Sequence, residues 1–269
     1  MKPLASEMHI RILDILPSDD ESAEIRCEIR TASLSDGPKY EAVSYARGND
    51  SADLLPIDVS GRTIEVTRTL HAALRRFRRR REPRALWIDQ LCADPDAAGE
   101  DALLLLLPPS RYFVDVVVPH CAGCLIWLGD VREDIPRADA AAAVDFLRWL
   151  EGEYHFSRET ADRAPPACMG SAAAARACAG AIRSIGVLEC PWWWDAAAWT
   201  VQAALRRATL HWDRHALAWE TLRFALDQWW FVEHWELGLT EETRRILGHG
   251  GGLNLLRERL GSLRWAARC

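Results

Sequence analysis

The chain has 269 residues, 13 of them tryptophan, with a charged share of 27% and a formal net charge of -6. Its apolar share of 49% is that of an ordinary globular protein, which excludes wholesale disorder. The acidic balance excludes a surface that binds nucleic acid along its whole length, because such a surface carries a basic field.

The opening MKPLASEMHIRILDI has neither a continuous apolar stretch nor a small-residue cleavage site, so it does not read as a secretory signal. The apolar run ALLLLLPP stops at a proline pair, well short of the ~18 residues of a membrane helix. A cytoplasmic protein with no membrane span is expected. Its eight cysteines are then reduced thiols and not a disulfide framework.

In chain order, MHIRILDIL (8–16) alternates apolar and polar positions and predicts a strand, and AEIRCEIRTASL (23–34) predicts a second. KYEAVSYARGND (39–50) is a short β-rich run, and PIDVSGRTIEVT (56–67) has the form of a hairpin turning at Ser60 and Gly61. Thr67 or Thr69 caps a helix over TLHAALRRFRRR that ends before Pro83. The arginines from Arg75 to Arg84 read as the solvated end of that helix, with a nuclear-localisation or polyanion patch as the alternative.

ALWIDQL (85–91) and CLIWLGD (124–130) are continuous apolar runs ending in an acid, the pattern of strands buried on both faces of a parallel sheet. A segment of helical composition lies between them, and ADAAAAVDFLRWLEGEY (138–154) predicts a strong helix. The expected fold is therefore α/β, with a mainly parallel central sheet flanked by helices, a β-rich N-terminal part and an α-helical end. Ligands of such sheets gather at the carboxyl ends of the strands, which draws attention to Asp89 and Asp130. Residues 157–180 look like a loop or insertion, and from 191 onward the pattern is helical.

Short motifs with familiar chemistry are weak here. Cys121 and Cys124 form a CxxC, but no second ligand pair lies nearby, so buried thiols are the better reading. His211, Asp213 and His215 would bring two imidazoles together on a helix, but as an isolated triplet they read as a solvent-side loop. GHGGG (248–252) lacks the Lys-Ser/Thr and the preceding strand of a phosphate loop, and neither GxSxG nor HExxH occurs.

Four stretches taken in order carry more information. They are Tyr40-Glu41-Ala42-Val43-Ser44-Tyr45-Ala46-Arg47-Gly48; Leu86-Trp87-Ile88-Asp89-Gln90-Leu91-Cys92; Ile126-Trp127-Leu128-Gly129; and Pro191-Trp192-Trp193 with Trp199-Thr200-Val201-Gln202. Together they resemble the YEALSYxWG, LWIDxIC, VWLG and PWWxRxWTxQE motifs of the fungal heterokaryon-incompatibility (HET) domain. The resemblance covers roughly residues 8–225. It implies a HET-like α/β domain over 1–225 with a TIR-like outline, and a helical extension over 226–269 packed on it.

The resemblance also implies a site. TIR domains that split NAD at the nicotinamide-ribose bond use a glutamate shortly after a tryptophan, and the WxxQE of HET domains is similar. Such a carboxylate would hold ribose hydroxyls and stabilise the charge that grows as nicotinamide leaves. By this likeness Tyr45, Arg47, Gly48, Asp89, Trp199 and Gln202 are ligand-binding candidates, and Asp89 and Glu100 the catalytic ones. No resident cofactor or metal is implied, and NAD is a candidate ligand or substrate.

The departures from the family's pattern weigh against catalysis. Arg47 stands where the family has Trp, Ala203 where it has Glu, and its arginine has no counterpart among Asp195, Ala196, Ala197 and Ala198. The expectation is a nonself-recognition and cell-death type of protein, catalytically impaired, that acts through a protein partner or self-association and not through nucleic acid. An exposed patch of Trp229, Trp230, Phe231 and Trp235 would serve such association. One alternative is an active NAD-cleaving enzyme that uses a displaced acid, Glu100, Glu189 or Asp195. Another is a HET-like protein with a specialised role, as in a biosynthetic cluster.

Overall fold

The computed structural model describes residues 8–47, 53–93, 112–155, 166–185, 190–194, 207–225, 241–242 and 245–246. The chain divides into two compact units, Met1–Trp127 with Asp195–Thr209, and Leu128–Trp194 with Leu210–Cys269. The expected helical extension over 226–269 lies almost wholly outside the described residues, as does the aromatic patch at Trp229, Trp230, Phe231 and Trp235.

The first unit is built on β1 (His9–Ile15), β2 (Arg26–Ser33), β3 (Glu41–Tyr45), β4 (Leu54–Val59), β5 (Arg62–Thr67), β6 (Arg84–Trp87) and β7 (Gly123–Gly129), whose last two residues fall in the second unit. They lie in the order β5-β4-β2-β1-β6-β3-β7. The sheet is mixed and most of its paired positions are antiparallel, which corrects the expectation of a mainly parallel sheet. β1 runs antiparallel to both β2 and β6, and β4 antiparallel to β5. β3 runs parallel to β6 and β7, and β2 meets β4 in a short parallel contact.

The physical reason is in the connections. Two residues join β4 to β5 and a short loop joins β1 to β2, and neither can make the long crossover that parallel neighbours need. At the first of these turns Ser60 and Gly61 have φ of 53° and 78°, the doubly positive geometry of tight hairpin turns, and Asp58 accepts a hydrogen bond from the Gly61 amide at 2.8 Å. The apolar runs identified the neighbours that are parallel, β6 and β7 either side of β3.

Helix α1 (Arg68–Phe77) follows β5, with the Thr67 hydroxyl accepting from the Leu70 amide at 3.3 Å. Leu70, Ala73, Leu74 and Phe77 form its buried stripe. It ends three residues before Arg80 because Arg78 turns extended and its guanidinium donates to the carbonyls of Asp20, Glu21, Ala23 and Glu24. The arginine run is therefore only partly a solvated helix end. Arg78 fastens the loop between β1 and β2, and Arg84 is tied to Glu41, whereas Arg79, Arg80 and Arg81 are exposed.

On α1, burial first and then Arg75, Arg68 and Arg78 hold the His71 imidazole below its usual pKa. As pH falls, the unfolded chain takes its proton first, so the stability due to this histidine is present above the unfolded value of ~6.5 and is lost towards acid. Urea midpoints between pH 7 and 5.5 should fall less steeply for His71→Gln than for the unaltered chain. Parallel slopes would contradict the assignment.

β6 stops at Trp87, short of the run that predicted it, and α2 (Asp89–Cys92) begins at the acid. A π-helical turn, Phe113–Val117, continues into α3 (Val118–His120), and the Tyr40 hydroxyl donates to the Val117 carbonyl at 2.8 Å. Ile12, Leu13, Ile15, Leu86, Trp87 and Ile88 lie in the core.

In the second unit, α4 (Arg137–His155) and α5 (Ala172–Ser184) pack against each other. α5 overturns the reading of 157–180 as loop or insertion over its described C-terminal part. Its alanines are strong helix formers, and the Ser171 hydroxyl caps it by accepting from Ala174 at 3.1 Å. The helical reading beyond 191 is corrected too, since β8 (Ala208–Trp212) and β9 (His215–Ala218) form a hairpin. Asp213 turns it with φ of 49°, a left-handed conformation that aspartate tolerates. HWDRH is thus neither a helix nor a solvent-side loop, and His211 is buried. Among the described residues no helix is long and apolar enough to cross a membrane.

Candidate functional site

Parallel pairing of β3 with β6 sets Ala42 opposite Trp87, so the two strands deliver their carboxyl ends side by side. Tyr45 closes β3 and Arg47 follows it, while Asp89 and Gln90 follow β6 as the first residues of α2. The four side chains form one polar cluster at the strand ends.

Two links hold it. The buried Tyr45 donates its hydroxyl proton to the Gln90 side-chain oxygen at 2.9 Å. Arg47 donates to one Asp89 oxygen from Nε at 3.1 Å and also from Nη2. The other Asp89 oxygen accepts from the Gln90 amide at 2.7 Å, which satisfies a donor at the start of α2. Exposure is 22% for the Asp89 side chain and 52% for Arg47, so the guanidinium forms the outer face and the carboxylate the inner one.

The chemistry available follows from these contacts. Both Asp89 oxygens are engaged, one by the Arg47 guanidinium and the other by the Gln90 amide, and the guanidinium lies half open to solvent. Cys92, next on α2, supplies no nucleophile. Burial pushes its thiol up to about 12, and its sulfur lies 3.4 Å from the Ile88 amide and 3.9 Å from the Leu86 carbonyl. Cys121 and Cys124 are buried thiols raised by the same cause, and no group of three or more metal-ligating side chains occurs among the described residues.

The structure brings together Tyr45, Arg47 and Asp89 of the expected set. Gly48, Glu100, Trp199 and Gln202 lie outside the described residues, as do Ala203 and the alternative acids Glu189 and Asp195. Asp130 follows β7 in the second unit, where burial and then Asp213 raise its carboxyl above the usual range. Gln90 was missed as a site residue. Its place directly after the strand-end acid was the available signal, because a residue there shares the turn that presents Asp89.

The tryptophans of PWWW are described in the second unit. Trp192 and Trp193 are buried edge to face with centroids 4.9 Å apart, and Trp193 lies 6.1 Å from Trp219 while its Nε1 donates to the Ile185 carbonyl at 2.8 Å. These two buried rings are packing elements, not open ligand surfaces, and the Trp193 indole N–H is satisfied.

The profile of the family described as heterokaryon incompatibility protein (HET) matches residues 40–102, which include all four members of the polar cluster. Over that stretch the chain is similar to the HET domain. It is also 34% identical over 150 residues to heterokaryon incompatibility protein 6, OR allele, of Neurospora crassa, an alignment covering 51% of this chain and 21% of the relative. The match thus spans about a fifth of the relative's length. No solved structure matches the chain. Within the matched stretch, YEAVSY is β3 with its approach, and LWIDQLC runs from β6 into α2. The two motifs that carry the family pattern therefore meet at the strand ends.

Proposed function

We propose that the chain is a protein of the fungal nonself-recognition and programmed-cell-death type, whose HET domain acts by self-association with its NAD-cleaving chemistry impaired. The observation that carries this reading is the Arg47–Asp89 pair. Arg47 replaces the family's tryptophan, and its guanidinium covers the acid that a ribose diol would otherwise engage. The Gln90 amide takes the second oxygen. NAD on this reading is at most a weak ligand, and the glutamate that would stabilise the departing nicotinamide is missing at Ala203. The name of the Neurospora crassa relative points the same way, towards incompatibility between cells.

The association is tested by sedimentation equilibrium over a hundredfold range of protein concentration. A weight-average mass that climbs above that of one chain is expected. A mass flat at one chain throughout would contradict self-association.

A further inference from the structure

The second unit contains a cavity of about 360 Å³ whose wall carries three guanidinium groups, those of Arg132, Arg176 and Arg183. We infer that this cavity binds a small phosphate-bearing, hydroxylated molecule of about sugar-phosphate size. Arg132 comes from the segment between β7 and α4, while Arg176 and Arg183 are seven residues apart on α5 and so share one helix face. Gly180 lies on the same wall, and a Cβ added there would meet nothing within 4 Å, so the helix surface leaves room between the arginines.

Two of the arginines already hold carboxylates in the geometry a phosphate would use. Arg132 meets Asp134 with two parallel contacts of 2.9 and 2.6 Å, and Arg176 meets Glu242 at 3.1 Å. All four side chains are more than half exposed, at 53% and 62% in the first pair and 60% and 56% in the second. Exposed pairs of this kind contribute little, and a phosphate brings nearly two charges and three acceptor oxygens to the same forks. Exchange of partners is therefore favourable.

Charge and size narrow the class. Arg132, Arg176 and Arg183 stand against Asp134, Asp139 and the Glu242 partner of Arg176, so an anion would enter by exchange with these carboxylates and not through a surplus of positive charge. The volume is near the lower end of small-molecule sites, about 300–1,000 Å³, so it suits a compact ligand and not a polymer. Asp139, in the first turn of α4, offers acceptors to ligand hydroxyls. A carboxylate in that place disfavours a bare polyanion and favours a phosphate that carries a sugar.

The test is titration calorimetry of the full chain with ribose 5-phosphate, ribose, inorganic phosphate and citrate. Ribose 5-phosphate should bind more tightly than inorganic phosphate or citrate, and ribose should give no signal. Arg132→Gln and Arg183→Gln should each weaken ribose 5-phosphate about tenfold or more, the loss expected for a charge-assisted contact. Both side chains are exposed, so the melting temperature should stay unchanged and report that the fold is intact. No binding at millimolar ribose 5-phosphate, binding of citrate as tight, or undiminished binding by the double variant would overturn the inference.

Discussion

Trp87→Ala is expected to lower the stability of the fold by about 3–5 kcal/mol, the range for removing a large aromatic side chain from a packed core. Trp87 is 2% exposed at the end of β6, with ring centroids 6.1 Å from Tyr112 and 5.6 Å from Phe113. Alanine would forfeit the transfer energy of the indole and leave a cavity that two fixed rings cannot fill. Because Trp87 is two residues from Asp89, the same change should also loosen the link between Tyr45 and Gln90. Urea denaturation measures the loss, and a shift below ~1 kcal/mol would show that the ring is not a core element.

Arg84→Ala should cost about 2–3 kcal/mol, less than a fully buried pair because solvent reaches both partners. The guanidinium meets Glu41 through two contacts of 2.6 and 2.9 Å, donates to the Phe77 carbonyl at 3.3 Å and lies over the Phe77 ring at 5.5 Å. Side-chain exposure is 15% for Arg84 and 25% for Glu41. Truncation therefore strands a largely enclosed carboxylate, with Arg79 still 3.9 Å away as a weak substitute. Replacing both partners, as Glu41→Gln with Arg84→Met, should cost less than Arg84→Ala alone, since no charge is left uncompensated. A double variant that is the less stable of the two would contradict this account. In either outcome Glu41, part of the family's first motif, is tested as a tie between strands and not as a reactive acid.

How much of this was legible in the sequence depended on the range of the interaction. β1, β2 and the β4–β5 hairpin were readable because alternation and a two-residue turn are local. Sheet direction was not, because ALWIDQL shows only that a strand is buried on both faces, and β6 meets that condition between antiparallel β1 and parallel β3. The β8–β9 hairpin was misread because LHWDRHAL carries tryptophan and histidine, which helices and strands both accept, and its turn uses a left-handed aspartate in place of an Asn-Gly or Asp-Gly pair. Residues 172–180 read as loop or insertion on their alanine, serine and glycine composition, although a capped alanine run is a strong helix.

For the site, Tyr45, Arg47 and Asp89 were found through motif likeness, and their meeting follows from the parallel β3–β6 contact. What no spacing could reveal is that Arg47 would reach across to Asp89, a contact between residues 42 positions apart. That contact gives the substitution at Arg47 a physical consequence, the engagement of Asp89, on which the proposed impairment rests.

The most direct test is nicotinamide release from NAD by the purified chain at high concentration, beside a buffer blank and the double variant Arg47→Trp with Ala203→Glu. The account predicts no release above the blank from the unaltered chain, with any turnover confined to the variant in which Asp89 is uncovered and the glutamate restored. Steady turnover by the unaltered chain would contradict it, because a site whose acid is held by Arg47 would then have to be catalytically competent.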